Sequence, residues 1–213
     1  MTKKVVVTGL AAVTPIGNDL ESSWESLVAG KSGVGPITQF DCTDFNTKFA
    51  AEVTGFDPVK HMEPKKAKRM ERFCHFAVAA AKMLMEDADF TISEEEAYRV
   101  GVLVGCGMGG IEILENNHEK LLKTSPKRIS PFMVPTMISN MAPGLISMIH
   151  GAKGPNFTAT SACASAIHGI GSACAEIQLG RADAMITGGV ESTITPVSVG
   201  GFNALKALST RNE

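Results

Sequence analysis

The sequence has few of the residues that hold nucleic acid. It contains one Trp and one Tyr among 213 residues, and its 20 basic and 22 acidic side chains leave a formal net charge of -2. Proteins that bind single-stranded nucleic acid use aromatic stacking platforms, and a positive field draws proteins to phosphate backbones and anionic membranes. We therefore expect neither nucleic acid nor a membrane as a partner.

Cysteine is sparse and shows no pairing pattern. The five cysteines form an odd, widely spaced set without a C-x-x-C motif, at positions 42, 74, 106, 163 and 174. No pair of Cys, His, Asp and Glu side chains has standard metal-ligand spacing. We expect no disulfide framework, no metal site and a reducing, cytoplasmic compartment.

Long apolar runs are also missing. The uncharged stretch from Val134 to Ile149 is too short to span a bilayer and is interrupted by prolines and Gly144. The basic start of the chain leads into an apolar run that breaks at Thr8 and Gly9. We expect neither an export signal nor a membrane anchor.

The 44% apolar residues are enough for a globular core, and their pattern predicts an α/β fold. β-Branched runs predict strands over 4–13, 99–104, 155–160 and 183–188, the first of them buried on both faces. Helical periodicity predicts helices over 20–29, 65–87, 136–150 and 163–179, with shorter ones after positions 93, 110 and 196 and a small hairpin within 31–64. Strands that alternate with helices favour a largely parallel sheet with helices on both faces.

The segment from Thr158 to Cys174 predicts an activated cysteine. A strand runs through a turn of small residues into a helix that starts at Cys163, and no charged residue occurs between Lys153 and Glu176. A helix amino terminus stabilises an anion by up to about 2 kcal/mol in partly buried sites, and its first N–H groups can hold a thioester oxyanion. We predict that Cys163 is a nucleophile on a helix packed closely on all sides. The other four cysteines fit small, inert hydrophobic residues.

No histidine in the sequence is an obvious base for Cys163. His168 follows by five residues, which places the two side chains about 140° apart around a helix axis. His150 suits the carboxyl end of a helix, and the histidines at 61, 75 and 118 lie in charged or helical surroundings. The serines near Cys163 lack the G-x-S-x-G elbow, which disfavours a serine hydrolase.

A glycine-rich turn supports an alternative hypothesis. Gly105, Gly107 and Gly110 match the G-x-G-x-x-G of a dinucleotide-binding domain, between a predicted strand and a predicted helix. An apolar strand ending in an acidic residue should follow about 20 residues later, but residues 117–130 are basic and polar. An NAD(P)-dependent oxidoreductase is therefore the weaker hypothesis, and the glycines are expected to let a bound chain approach beside Met108.

Seven short motifs occur in a fixed order along the chain. They are Val5-Val-Val-Thr-Gly9 with Thr14-Pro-Ile-Gly17-Asn18, Gly105-x-Gly-x-Gly-Gly110, Pro126-Lys-Arg-Ile-Ser-Pro131, Asn140-Met141, Thr160-x-x-Cys163-x-Ser165, Gly188-Gly-x-Glu191 and Ala207-Leu-Ser-Thr-Arg-Asn212. Together they resemble the elongating β-ketoacyl-acyl-carrier-protein synthases of the thiolase superfamily over essentially all 213 residues. The resemblance implies the first half of the thiolase fold, with a mixed sheet and a buried central helix that starts at Cys163.

The resemblance also implies a decarboxylating Claisen condensation in fatty acid biosynthesis. Cys163 would accept an acyl group from acyl carrier protein, and malonyl-carrier protein would then lose CO2 and attack the thioester. The substrates would be carried on the phosphopantetheine of the carrier protein, without a cofactor of the enzyme itself. A non-catalytic partner similar to chain-length factors is an alternative, but those proteins generally replace the nucleophile. A biosynthetic thiolase would have different motifs around the cysteine and would use coenzyme A substrates.

The family's pocket and docking surface map onto residues of this chain. The acyl pocket maps onto Met108 and Phe202, with Phe132, Met133 and Met137 as contributors across the interface of a homodimer. These three also fit ordinary core, which is the favoured interpretation for Met137. The basic surface for the carrier protein matches Lys65, Lys68, Arg69, Lys127, Arg128 and Lys206. Each of these six side chains also fits a solvated helix face.

The family's two catalytic histidines and its lysine belong to its second half. We therefore expect residues 1–213 to form an N-terminal half-domain with the start of the connection to a C-terminal half. This half alone is expected to be inactive in condensation.

Overall fold

The computed structural model describes residues 4–213, so the first three residues of the amino-terminal run lie outside the described residues. The strands are β1 (Val34–Pro36), β2 (Phe49–Ala51), β3 (Val100–Gly105), β4 (Asn156–Ala159) and β5 (Ala184–Gly189). The α-helices are α1 (Leu20–Val28), α2 (Pro64–Ala67), α3 (Arg72–Asp87), α4 (Ile111–Lys123), α5 (Met133–Met137), α6 (Met141–His150), α7 (Ser165–Gln178) and α8 (Pro196–Ala204). None of the helices in this part of the chain is long and apolar enough to cross a bilayer.

A parallel sheet of three strands forms the centre of the fold. Its order is β4-β3-β5, and β3 pairs with β4 from Val102 to Gly105 and with β5 from Val100 to Gly105. The antiparallel β1–β2 hairpin is separate from this sheet. Because all three central strands are parallel, their carboxyl ends lie at one edge, which is where open α/β sheets bind ligands.

The side chains of β3 point alternately to two helical layers. Val102, Val104 and Cys106 belong to a buried cluster with α3 and α6. On the other face, a Cβ added to Gly105 would lie 2.2 Å from the Ser165 carbonyl oxygen of α7. The strand period of two thus explains the run of six buried residues and confirms the expected helices on both faces.

The single helix predicted over 65–87 is two helices. The chain is interrupted after α2 because Glu71 is extended and its carboxylate accepts a hydrogen bond from the Phe73 N–H at 2.9 Å, which caps α3. The helix predicted over 136–150 is divided in a similar way, between α5 and α6. There, Ile138 has extended backbone dihedrals.

The strand predicted over 4–13 is wrong. Residues 4–13 form no strand, and Val6 and Val7 are 63% and 77% exposed. The segment is tied to the end of α3, where the Leu10 N–H donates to Asp87 Oδ2 at 2.8 Å. Residues 11–15 line a cavity of 530 Å³ together with residues 186–194 and parts of α3. A buried strand needs ladder partners, and no described residue provides one for this segment.

Helix α7 differs in two respects from its prediction. It begins at Ser165, two residues after Cys163, and it buries one face, through Ser165, Gly169, Ala173 and Glu176. The opposite face is open, because nothing in the described part of the chain covers it. Its carboxyl end is as expected, with Gly180 in the left-handed conformation at φ 74°.

Candidate active site around Cys163

The turn between β4 and α7 presents Cys163 to the surface. Thr160 Oγ1 donates to the Cys106 carbonyl oxygen at 2.9 Å, which fixes the turn to the end of β3. Ala162 has φ of 52°, a left-handed conformation that is rare for a residue with a Cβ. Cys163 itself is exposed. The thiol therefore lies at the carboxyl edge of the sheet, just before the amino terminus of α7, where a partial positive charge favours an anion.

Two of the other cysteines have the opposite environment. Cys74 and Cys106 are 1% exposed. Burial raises the pKa of the Cys74 thiol well above its ordinary value, and burial, together with the nearby Glu191, raises the pKa of Cys106 to about 12. These thiols stay protonated at neutral pH and are poor nucleophiles, as the sequence predicted for them.

His168 binds a serine in the turn. Its Nδ1 lies 2.6 Å from Ser161 Oγ, in a pair that the sequence did not indicate. Helical spacing separates the His168 side chain from that of Cys163 but does not predict which residue of the preceding turn His168 contacts. Within residues 4–213, no hydrogen bond joins Cys163 to a histidine.

The glycine-rich turn is held by a carboxylate. Glu191 Oε2 accepts hydrogen bonds from the Gly107 and Met108 N–H groups, both at 2.9 Å. These amide groups are the kind that would receive a pyrophosphate in a dinucleotide site. Because an acidic side chain already occupies them, the turn is unsuited to NAD(P), which argues against the oxidoreductase hypothesis. Glu191 is the last residue of one of the seven motifs, so the sequence marked it. Its contact with Met108 was not predictable, because the two residues are 83 positions apart.

The predicted acyl-pocket residues are distributed over three elements. Met108 in the glycine-rich turn, Phe132 before α5 and Phe202 in α8 are 46%, 48% and 41% exposed. Met133 and Met137 are partly buried in α5, and the Met137 carbonyl oxygen accepts from the Gly110 N–H at 2.8 Å. The contact brings α5 against the glycine-rich turn. Neither of the two main cavities is lined by Cys163, Met108 or Phe202.

The predicted carrier-binding residues are all exposed, and one of them contacts a predicted pocket residue. The six are Lys65, Lys68, Arg69, Lys127, Arg128 and Lys206. The Arg69 guanidinium lies 5.6 Å from the centre of the Phe132 ring, in cation–π geometry. Lys68, Arg69 and Phe132 also line a second cavity of 370 Å³. The structure thus brings Lys68 and Arg69, the basic segment after α2, against the loop before α5.

Glu71 connects this basic segment to the sheet. It is 7% exposed, and its Oε2 accepts from Ser192 Oγ at 3.2 Å as well as from the Phe73 N–H. Its other oxygen, Oε1, is buried without a hydrogen-bond partner. Burial raises the pKa of Glu71 to about 7. No motif marked this residue.

The geometry and the comparisons with known proteins agree. The parallel α/β sheet with an exposed cysteine in the turn before a helix is a thiolase-like fold, because solved ketosynthases share it. The chain belongs to the β-ketoacyl synthase family, because the model of the β-ketoacyl synthase N-terminal domain matches residues 2–213.

Relatives with similar sequences are 3-oxoacyl-[acyl-carrier-protein] synthases 2. The protein from Synechocystis sp. is 50% identical over 211 residues, which are 99% of this chain and 51% of that protein. The Vibrio cholerae protein is 44% identical with the same coverage. The chain therefore spans about half the length of these relatives.

Solved structures confirm the fold. A β-ketoacyl synthase from Burkholderia phymatum has a TM-score of 0.86 at 30% identity, over 100% of this chain and 52% of that one. The ishigamide ketosynthase/chain length factor has a TM-score of 0.90 at 26% identity, over 98% of this chain and 52% of that one. A ketosynthase in complex with a type II polyketide acyl-carrier protein has a TM-score of 0.82 at 22% identity, over 95% of this chain and 55% of that one.

Proposed function

We propose that this chain is the nucleophile-bearing half of an enzyme that elongates acyl chains by decarboxylating Claisen condensation in fatty acid biosynthesis. The Cys163 sulfur attacks the thioester of an acyl carrier protein, so that a new C–S bond forms and the carrier thiol leaves. Malonyl-carrier protein then loses its carboxylate as CO2, and the resulting carbanion attacks the Cys163 thioester. A C–C bond forms and the Cys163 thiolate is released.

One observation carries this proposal. Cys163 is exposed in a left-handed turn before α7, whereas Cys74 and Cys106 are buried. A thioester intermediate needs a sulfur that both substrates can reach and that a helix amino terminus can stabilise as an anion. Cys163 is exposed and lies two residues before α7, and non-catalytic chain-length factors generally replace this cysteine.

The condensation requires groups beyond this chain. No histidine in residues 4–213 hydrogen-bonds to Cys163, while decarboxylation and proton transfer call for positioned acid–base groups. We therefore assign the catalytic histidines and lysine to the remaining half of the family's length. No cofactor is assigned, because the phosphopantetheine of the carrier protein presents the substrates.

Acyl carrier protein is the proposed partner. Carrier proteins are acidic, and Lys65, Lys68 and Arg69 are all exposed. Arg69 lies over the ring of Phe132, a predicted acyl-pocket residue. A ketosynthase of the same fold has been solved with its acyl-carrier protein bound, so the fold can dock one.

A homodimer and a cytoplasmic location complete the proposal. β4 is an edge strand with Phe157 40% exposed, and Ile167 and Ile170 of α7 are 70% and 46% exposed. An open strand edge together with exposed apolar side chains is typical of a surface that a second subunit covers. All five cysteines are free thiols, which suits a reducing compartment.

The elongation assay tests the nucleophile directly. In the longest chain that carries residues 1–213, Cys163→Ala should abolish formation of β-ketoacyl-carrier protein. Cys174→Ala is the matched control, because Cys174 lies on the same helix and is partly buried. If Cys163→Ala elongated acyl chains at the same rate as Cys174→Ala, Cys163 would not be the nucleophile.

A further inference from the structure

The Ser165 side chain closes the turn that presents Cys163. Its Oγ accepts from the Ser161 N–H at 2.9 Å and donates to the Ala162 carbonyl oxygen at 2.7 Å. Ser165 is 4% exposed, so water does not compete for these two bonds. One buried hydroxyl therefore holds the backbone on both sides of the peptide bond between Ser161 and Ala162.

These bonds differ from ordinary helix capping. A capping side chain precedes the helix and accepts from N–H groups inside it, but the residue at the cap position is Ala164, which has no such side chain. Ser165 lies inside the helix and reaches back out of it, to residues three and four positions earlier. Its hydroxyl stabilises the loop that carries Ser161 and Ala162, and it does not cap the first helical turn of α7.

The turn needs this support because Ala162 is strained. Its φ of 52° lies in the left-handed region, where a Cβ crowds the backbone. Strained residues of this kind persist only when surrounding contacts fix them. The Ser165 N–H adds a third contact, to the Ala162 carbonyl oxygen at 3.1 Å.

We infer that Ser165 is a positioning residue, which holds the strained Ala162 turn so that the Cys163 sulfur stays at the amino end of α7. This inference rests on the proposed function, since it assumes that Cys163 is the nucleophile. Ser165 acts through the backbone of the turn, and no contact with the substrate is required of it.

The test is the rate at which iodoacetamide alkylates each cysteine, followed by peptide mass spectrometry in the longest chain that carries residues 1–213. Ser165→Ala removes both buried hydrogen bonds of the hydroxyl and should slow the alkylation of Cys163 about tenfold or more. Ser165→Thr keeps the hydroxyl and should restore most of the rate. Ser172→Ala, the same change at a partly buried serine further along α7, should leave the rate unchanged.

A fourth variant separates positioning from general loss of structure. In the Ala162→Gly background the turn is no longer strained, because glycine adopts the left-handed conformation readily, so Ser165→Ala should then slow alkylation less than threefold. Cys74 and Cys106 report on unfolding, and they should stay unlabelled in every variant.

The outcomes are distinguishable. An unchanged Cys163 rate in Ser165→Ala, or no recovery in Ser165→Thr, overturns the inference but leaves the nucleophile in place. Labelling of Cys74 and Cys106 in Ser165→Ala also overturns it, because the serine would then support the fold as a whole. If native Cys163 reacts no faster than Cys174, the proposed function itself fails.

Discussion

At the scale of single residues, burial gives Glu71 a different chemistry from the exposed carboxylates of the chain. One of its oxygens accepts two hydrogen bonds, and the other is buried without a partner. A carboxylate in that position loses hydration that the hydrogen bonds replace only in part, which is why burial raises the pKa of Glu71 to about 7. The residue caps α3 and simultaneously holds the loop after β5 through Ser192.

The Glu71 environment predicts a pH dependence of stability. The Glu71 carboxyl has a pKa of about 7 in the folded protein and an ordinary value of 4.5 in the unfolded chain. The unfolded chain therefore releases this proton at a lower pH than the folded protein does. Its contribution to stability therefore falls as pH rises from 4.5 to 7. Glu71→Gln, which stays neutral, should be more stable than the native protein by about 2 kcal/mol at pH 8 and by less than about 1 kcal/mol at pH 5.

Urea unfolding at the two pH values measures this difference. Glu94→Gln is the matched control, because Glu94 is exposed. If Glu71→Gln raised the free energy of unfolding by the same amount at pH 5 and at pH 8, titration of this carboxyl would not affect stability.

Individual residues divide into those that the sequence predicts and those that it does not. The position of Cys163 in a turn between a strand and a helix was predictable because its signal is local, namely a strand, small residues and a helix in succession. Glu191, Glu71 and the pairing of Ser161 with His168 were not predicted. The Glu191 and Glu71 contacts join residues far apart in the chain, and the Ser161–His168 pair depends on how the turn folds back over α7.

At the scale of elements, the site depends on how closely β3 approaches α7. Gly105 ends β3 beside the first residue of α7, and a Cβ added to it would lie 2.2 Å from the Ser165 carbonyl oxygen. The Ser165 carbonyl oxygen belongs to the backbone, so it cannot rotate away from the added Cβ. Since Ser165 also holds the Ala162 turn, the strand, the helix and the nucleophile form one packed unit.

Gly105→Ala should therefore destabilise the fold by about 2 kcal/mol or more, because overpacking forces the strand and helix apart. Gly171→Ala provides the contrast, since in the described structure a Cβ there meets nothing within 4 Å. An alanine within a helix should stabilise it by about 0.5 to 1 kcal/mol. Denaturant unfolding of both variants gives the two values, and a Gly105→Ala protein as stable as the native one would refute the close packing.

Most elements were predictable, and the errors have physical causes. The strands near 100, 156 and 184 were predicted within one or two residues, because each is a short apolar run between turn residues. Residues 4–13 have a pattern of equal strength but form no strand, since a pattern does not supply a ladder partner. The interruptions at Glu71 and Ile138 depend on backbone conformations that apolar periodicity does not report.

At the scale of the whole molecule, Cys163 and the exposed basic residues Lys68 and Arg69, which follow α2, lie at the same edge of the sheet. It spans about half the length of its relatives, and within residues 4–213 Cys163 is left without a histidine partner. The basic segment after α2 lies at the carboxyl edge of the sheet, because Glu71 is bonded to Ser192 just beyond β5. Under the proposed function, an acyl carrier protein docked on these basic residues would deliver its acyl group at that edge.

Charge reversal should separate docking from chemistry. In the longest chain that carries residues 1–213, Lys65→Glu with Arg69→Glu should raise the KM for carrier-linked substrate about tenfold or more and leave iodoacetamide alkylation of Cys163 unchanged. Lys153→Glu is the control, because Lys153 is exposed beside Tyr98 at the amino end of β3. An unchanged KM in the double variant would exclude Lys65 and Arg69 from the docking surface.

The direct test of Cys163 as the acyl carrier is to incubate the longest chain that carries residues 1–213 with acyl-carrier protein, without malonyl-carrier protein, and to locate the acyl group by peptide mass spectrometry. We expect one acyl group per chain as a thioester on Cys163 and none on Cys42, Cys74, Cys106 or Cys174. An acyl group on another residue, or no acyl group on a protein that still elongates, would contradict it.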